Sequence, residues 1–120
     1  MRASDKYRSA NRKKSNPTKE TGRSGIEAKA KQYMRESCGG KTYKFVSPGC
    51  NGVPDDLFTH VNCGPFFMEF KSKGKKLQEL QEYVCDEMIM HGCRVYKGVD
   101  SLEKAINIID HEVYGFDLDA

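Results

Sequence analysis

Glu69 and Lys71 stand two apart in the segment Met68-Glu69-Phe70-Lys71. On a β-strand, positions i and i+2 project from the same face, so a carboxylate and an ammonium would share one patch. Asp55 closes Gly52-Val53-Pro54-Asp55 and opens the preceding strand-like run. A turn near Cys63-Gly64 would fold the two runs into a hairpin, placing Asp55 opposite the neighbourhood of Lys71 and diagonal to Glu69. Two carboxylates that close repel unless something cationic lies between them, and a divalent ion with oxygen ligands fills that role. Magnesium suits a site of one or two carboxylates completed by water and phosphate oxygens. A lysine beside it is placed to orient or deprotonate an attacking water, or to stabilise charge on phosphate. Taken alone, Glu69 and Lys71 would pass for an exposed strand pair; Asp55, in the correct strand order, makes hydrolysis at phosphorus the better account.

The elements around this patch can be read from periodicity. Ile26, Ala30, Tyr33, Met34 and Ser37 recur at helical spacing, Ser24 to Glu27 has the form of a capping box, and Gly39-Gly40 ends the helix. Residues 41–47 read as a strand, 48–54 as a loop of turn formers, and 55–62 and 65–71 as the hairpin. A basic loop at 72–76 leads into a helix over 77–91 with an apolar stripe at Leu77, Leu80, Val84 and Met88 and a stop at Gly92. Residues 93–97 read as a fourth strand. A second capping box, Asp100 to Glu103, opens a final helix to about Ile109. The order α, β, β, β, α, β, α, with one hairpin and one helical crossover, predicts an α/β fold with a mixed sheet flanked by helices. Phe66, Met68 and Phe70 should face helices on one side, and Phe67, Glu69 and Lys71 the other.

The chain has 120 residues, 38% hydrophobic and 31% charged, enough for one domain. No window approaches the ~20 apolar residues of a membrane span, and the basic N-terminus lacks the apolar stretch of a secretory signal. Five cysteines without a CxxC pair argue against a zinc ribbon or a disulfide scaffold; they read as buried small hydrophobes in a reducing cytoplasm. His60, His91 and His111 share no ligand spacing. Tyr43, Phe45, Tyr83 and Tyr96 read as core. The net charge of +3 conceals an asymmetry: residues 1–44 carry 13 Lys/Arg against 4 Asp/Glu, residues 45–120 carry 7 against 13. The division expected is a flexible basic arm at 1–23, a folded domain at 24–110 and an acidic tail at 111–120. A basic arm on an acidic body suits a polyanion such as nucleic acid.

Gly52-Val53-Pro54-Asp55, Met68-Glu69-Phe70-Lys71, the Gly/Lys loop and Gln81 on the following helix together resemble the VRR-NUC domain, a family of the PD-(D/E)xK nuclease superfamily. The resemblance spans residues 26–109 and implies a restriction-endonuclease-like αβββαβ core. It implies that Asp55 and Glu69 hold a catalytic Mg²⁺ or Mn²⁺ with help from Glu27, that Lys71 is the motif lysine, and that Gln81 stands beside the metal. Glu27 is also the fourth residue of the capping box, a structural reason for the same glutamate. Asp56 departs from the family pattern, which tends to an apolar residue there. Strand alternation turns it to the face opposite Asp55, outside the site.

The expected activity is metal-dependent hydrolysis of DNA phosphodiesters by an endonuclease in the cytoplasm of a bacterial or phage-infected cell. The resemblance points to branched, Holliday-junction-like duplex as substrate and to a homodimer whose two-fold axis matches it. No small-molecule cofactor is expected. Lys73, Lys75 and Lys76 suit a phosphate backbone. A non-catalytic binding module, or a related nuclease acting on RNA or restricted DNA, are the alternatives, since phosphate contacts carry no base information. Residues 1–20 hold seven Lys/Arg against two Asp/Glu. Deleting them is expected to weaken DNA binding and flatten the slope of log affinity against log salt; an unchanged slope would show that the arm does not touch phosphates.

Overall fold

The computed structural model describes residues 22–118. The basic arm therefore lies outside the described residues, except for Gly22 and Arg23. Ile26, Ala30, Tyr33 and Met34 are all buried, and they line helix α1 (Arg23–Gln32), which continues into a π-helical turn at Tyr33–Ser37. Gly22 is the N-cap, and its carbonyl accepts the first helical bond from Ile26. Ser24 is thus already helical and the expected capping box does not form. The first turn is tied down instead by the Arg23 backbone N–H, which donates to Ser72 Oγ at 3.2 Å.

Strands β1 (Lys41–Lys44), β2 (Asp56–Thr59), β3 (Phe66–Phe70) and β4 (Val95–Val99) form a sheet in that order. The first two pairings are antiparallel and β3–β4 is parallel, the mixed sheet expected from one hairpin and one crossover. The β2–β3 turn is closed by the N–H groups of Cys63 and Gly64, both donating to His60 O. Between the parallel strands the register slips by one: Phe67 pairs with Val95 but Phe70 with Val99. Gly98, at φ +69°, absorbs the extra residue. Val95 therefore shares the face of Phe67, and Val99 the face of Phe70.

Phe66, Met68 and Phe70 point into the main core, covered by α1 and by helix α3 (Leu102–Tyr114) through Ala105, Ile106, Ile109 and Val113. Ser101 Oγ caps α3 by accepting from the Lys104 backbone N–H at 3.1 Å, while Asp100 takes the Lys104 ammonium at 2.7 Å. The helix runs five residues past Ile109, because Asp110 and Val113 still face the core, and stops at left-handed Gly115. Helix α2 (Glu79–Met90) lies against β4 and buries Val84 and Cys85. Its stripe is rotated from the one expected. Leu80 is half exposed, lying against Gly52 rather than under the sheet, and this turns Gln81 inward.

Among the aromatics, Phe45 packs on Phe67 and Tyr96 on Phe66, but Tyr43 and Tyr83 lie on the surface. Sequence spacing alone cannot tell an edge strand or an outer helix face from a covered one. All five cysteines are free thiols; Cys85 is buried, whereas Cys50 is exposed, held in a turn with no apolar neighbour required. Among the described residues no helix is long and apolar enough to cross a membrane.

One polar pair crosses the core: the Tyr33 hydroxyl donates to Asp110 Oδ1 at 2.5 Å, joining the π-helical turn to α3. Burial, and then this bond, push the phenol well above its usual range. Tyr33→Phe removes the donor to a buried carboxylate and is expected to destabilise the protein by about 1–3 kcal/mol in urea unfolding; a neutral substitution would show that the pair contributes nothing net.

Candidate active site

Asp55 follows a loop whose path is dictated by contact with α2. Gly52 sits at φ +90°, where a Cβ would lie 3.0 Å from Leu80 O, so only glycine fits. Pro54 is buried, and the Asp55 carbonyl accepts from Phe45 N–H at 2.9 Å, extending the β1–β2 pairing to the carboxylate. Asp56 pairs with Met68 and Phe58 with Phe66, so continuing the ladder by one step sets Asp55 opposite Glu69. The register differs by about two residues from the one expected, which set Asp55 opposite the neighbourhood of Lys71, because the turn occupies His60–Gly64 rather than centring on Cys63-Gly64. The consequence is closer: Asp55 Oδ2 accepts from the Phe70 backbone N–H at 2.9 Å, beside Glu69. Asp55 Oδ1 takes the Arg23 guanidinium, and Lys44 Nζ stands 4.0 Å away.

Glu69 is fully buried. Its Oε2 accepts from Gln81 Nε2 at 3.0 Å, and Gln81 Oε1 in turn accepts from the Gln78 backbone N–H at 3.2 Å, at the first turn of α2. The amide is thereby fixed in orientation, and its NH₂ is committed to the glutamate. Glu69 Oε1 has no hydrogen-bond partner among the described residues. Burial, then the negative charge of Asp55, push this carboxyl up to about 7, against the opposing pull of Arg23 and Lys71. Lys71 directly follows β3 and is half-buried, its backbone N–H donating to Val99 O at 2.9 Å just past the bulge. Two residues from Glu69, its charge favours the glutamate's ionised form.

Glu27 faces the same corner from α1. Freed of the capping role, its Oε2 takes Lys44 Nζ at 3.0 Å. Burial opposes its charge, but hydrogen bonding with Asp56 and the Lys44 ammonium outweigh burial and lower its pKa. Asp56 lies on the Met68 side of the sheet, as alternation requires, yet it is not an idle residue there. It is fully buried, 3.1 Å from Lys31 Nζ; burial and then Glu27 push it up to about 7.

The structure thus brings Asp55, Glu69, Lys71, Gln81 and Glu27 to one end of the sheet. Lys73, Lys75 and Lys76 are exposed on the turn that follows Lys71. Arg23, Lys31 and Lys44 also belong to this corner; as single basic residues without a motif, they carried no signal in the sequence. The histidines lie apart, His60 Nε2 on Cys38 O and His111 Nδ1 on Phe116 O. No three His, Cys, Asp or Glu side chains among the described residues converge into a ready cation cage. The set Asp55, Glu69 and Glu27 is not assembled as such, since Glu27 is engaged by Lys44. The donor chemistry that does fit a hard divalent ion is the cross-strand pair Asp55 and Glu69, with the orphaned Oε1 of Glu69 as its clearest vacancy in hydrogen bonding.

Comparison with solved structures places the chain beside a protein described as a VRR_NUC domain, with a TM-score of 0.59 and 24% identity over 72% of this chain and 96% of that one. The fold is therefore the restriction-endonuclease-like VRR_NUC fold. Among curated proteins, "Putative nuclease p44" of Acyrthosiphon pisum secondary endosymbiont phage 1 is 53% identical over 38 residues, 32% of this chain. The match spans 41% of the length of that relative. No family model matches the chain.

The raised Glu69 carboxyl has a stability consequence. Its folded value of about 7 exceeds the ordinary 4.5, so it contributes stability that is complete below pH 4.5 and lost as pH rises through 7. In metal-free buffer, Glu69→Gln is expected to flatten the fall in unfolding free energy between pH 4.5 and 7.5. Asp56 supplies the part of the slope that survives. An identical slope in both proteins would show that Glu69 ionises normally.

Proposed function

We propose that this chain is a divalent-metal-dependent nuclease that hydrolyses DNA phosphodiesters. The observation that carries it is Glu69: a fully buried carboxylate opposite Asp55, held on one oxygen by Gln81 and with its other oxygen unpartnered among the described residues. The oxygens of Asp56 also lack a hydrogen-bond partner among the described residues, but the Lys31 ammonium stands 3.1 Å from its Oδ1, whereas no such cation pairs with Oε1 of Glu69 among the described residues. The VRR_NUC fold and the nuclease named in the phage support the same conclusion.

Mg²⁺ or Mn²⁺, held by Asp55 and Glu69 with water and phosphate oxygens completing the shell, would neutralise the phosphate and acidify an attacking water. Gln81 keeps Oε2 of Glu69 occupied, which leaves Oε1 as the atom that would meet an ion. Phe70 N–H fixes Oδ2 of Asp55 in the same way. Lys71 Nζ, on the Glu69 face, orients the water or meets the charge that builds on the phosphate. Glu27, engaged with Lys44 and Asp56, shapes the wall of the site from α1. The lysines at 73, 75 and 76 line the approach for the backbone.

The substrate proposed is branched duplex. One chain offers one such site, so paired cuts across a junction call for a homodimer with two-fold symmetry. The setting is the cytoplasm of a bacterial or phage-infected cell.

A cleavage assay on four-way junction, flap, linear duplex and single-stranded DNA, with Mg²⁺, Mn²⁺ or EDTA, tests the proposal. Cleavage that requires metal and disappears in Glu69→Gln, with DNA binding intact, is expected. Binding without cleavage under every condition would make the chain a non-catalytic module. Lys71→Ala is expected to lower the single-turnover rate on the order of 10²-fold at saturating metal and DNA; a normal rate would reduce Lys71 to a phosphate contact.

A further inference from the structure

We propose that Arg23 is the resident counter-ion of the candidate metal site, and that its guanidinium must leave Asp55 for a divalent ion to bind there. The inference rests on the assignment of Asp55 and Glu69 as the ion's ligands.

Three contacts hold Arg23 at the corner. Its Nη2 meets Asp55 Oδ1, its Nε–H donates to Phe70 O at 3.2 Å, and its backbone N–H donates to Ser72 Oγ at 3.2 Å. Asp55 is one of the carboxylate pair, and Phe70 and Ser72 directly follow Glu69 and Lys71 in the chain. The charge of Arg23 also acts on Glu69, favouring its ionised form. One guanidinium therefore serves both carboxylates electrostatically, which is what a divalent ion between them would do. Asp55 Oδ2 is already committed to the Phe70 N–H, so Oδ1 is the oxygen left for an ion, and it is the oxygen that Arg23 takes. The two cations compete for one atom.

The side chain of Arg23 is 39% exposed, so the guanidinium has water to return to. Its position at the first residue of α1 lets it swing without disturbing Ile26 or Ala30, which anchor the helix. Without a cation on Oδ1, Asp55 and Glu69 would face each other across the hairpin with their repulsion relieved chiefly by Lys44, 4.0 Å away, and Lys71. Arg23 thus stabilises the metal-free chain and opposes loading of the ion. An ion that binds only when Arg23 is away has its apparent affinity reduced by the fraction of time Arg23 is away.

Calorimetric titration of Mn²⁺ into the wild-type chain, Arg23→Gln, Arg23→Lys and Asp55→Asn tests the exchange without reference to cleavage. Arg23→Gln is expected to bind Mn²⁺ on the order of tenfold more tightly than wild type, the gain if Arg23 holds Asp55 about nine-tenths of the time. Arg23→Lys, which keeps the charge but loses the fork, should fall between them. A measurement on the wild-type chain needs no variant to fold. In ¹⁵N-resolved NMR, the Arg23 Nε–H resonance should leave its hydrogen-bonded position as Mg²⁺ is added. Wild-type binding of Mn²⁺ that Asp55→Asn abolishes, with no gain in Arg23→Gln and a stationary Nε–H resonance, would overturn the exchange and leave the metal assignment standing. Absence of Mn²⁺ binding in all four proteins would overturn the metal assignment and the exchange together.

Discussion

Three carboxylates buried at one end of a four-stranded sheet are the constraint around which the rest is arranged. Asp55, Asp56 and Glu69 are each nearly or completely removed from water, and an unpaired buried carboxylate is among the most unfavourable groups a domain can hold. The chain responds with partners from every adjoining element. Helix α1 sends Arg23 to Asp55 and Lys31 to Asp56; β1 sends Lys44 to Glu27 and toward Asp55; α2 sends Gln81 to Glu69. The positions of α1 and α2 relative to the sheet are thus bound up with charge as well as with apolar burial.

The two faces of the sheet deal with this differently. On the Met68 face, Asp56 is balanced by Lys31 and Glu27 by Lys44, above a continuous apolar core. That side supports. On the opposite face Glu69 is satisfied on one oxygen only, and the groups around it are an amide and a lysine rather than a full set of donors. An incompletely satisfied buried carboxylate is unfavourable for stability and useful for holding a cation. Asp55, at the strand end, belongs to both sides, which is why residues from α1 and β3 meet on it.

Backbone irregularities place these groups. The slip at Gly98 lets β4 present Val95 to one face and Val99 to the other, so the strand seals both layers beside Glu69. Gly52 lets the loop before Asp55 run against Leu80, which draws the start of α2 over the site and aims Gln81 at Glu69. A side chain at Gly52 would separate the aspartate's loop from the helix that holds the glutamate's partner.

The sequence by itself determined the order of elements and the mixed sheet, and singled out Asp55, Glu69 and Lys71 as candidates, because strand alternation, turn chemistry and short spaced motifs are local properties; Gln81 entered as a candidate through the family resemblance. It determined the core face of β3 for the same reason: Phe66, Met68 and Phe70 alternate, and all three are buried. Tertiary structure alone decided what is non-local. The register that sets Asp55 opposite Glu69, the turn of α2 that exposes Leu80, the release of Glu27 from a cap to meet Lys44, and the length of α3 past Ile109 all depend on what packs across from each residue. Arg23 is the clearest instance. In the chain it is one arginine among a run of basic residues, separated from Asp55 by 32 positions, and only the docking of α1 against β3 sets its guanidinium on that carboxylate.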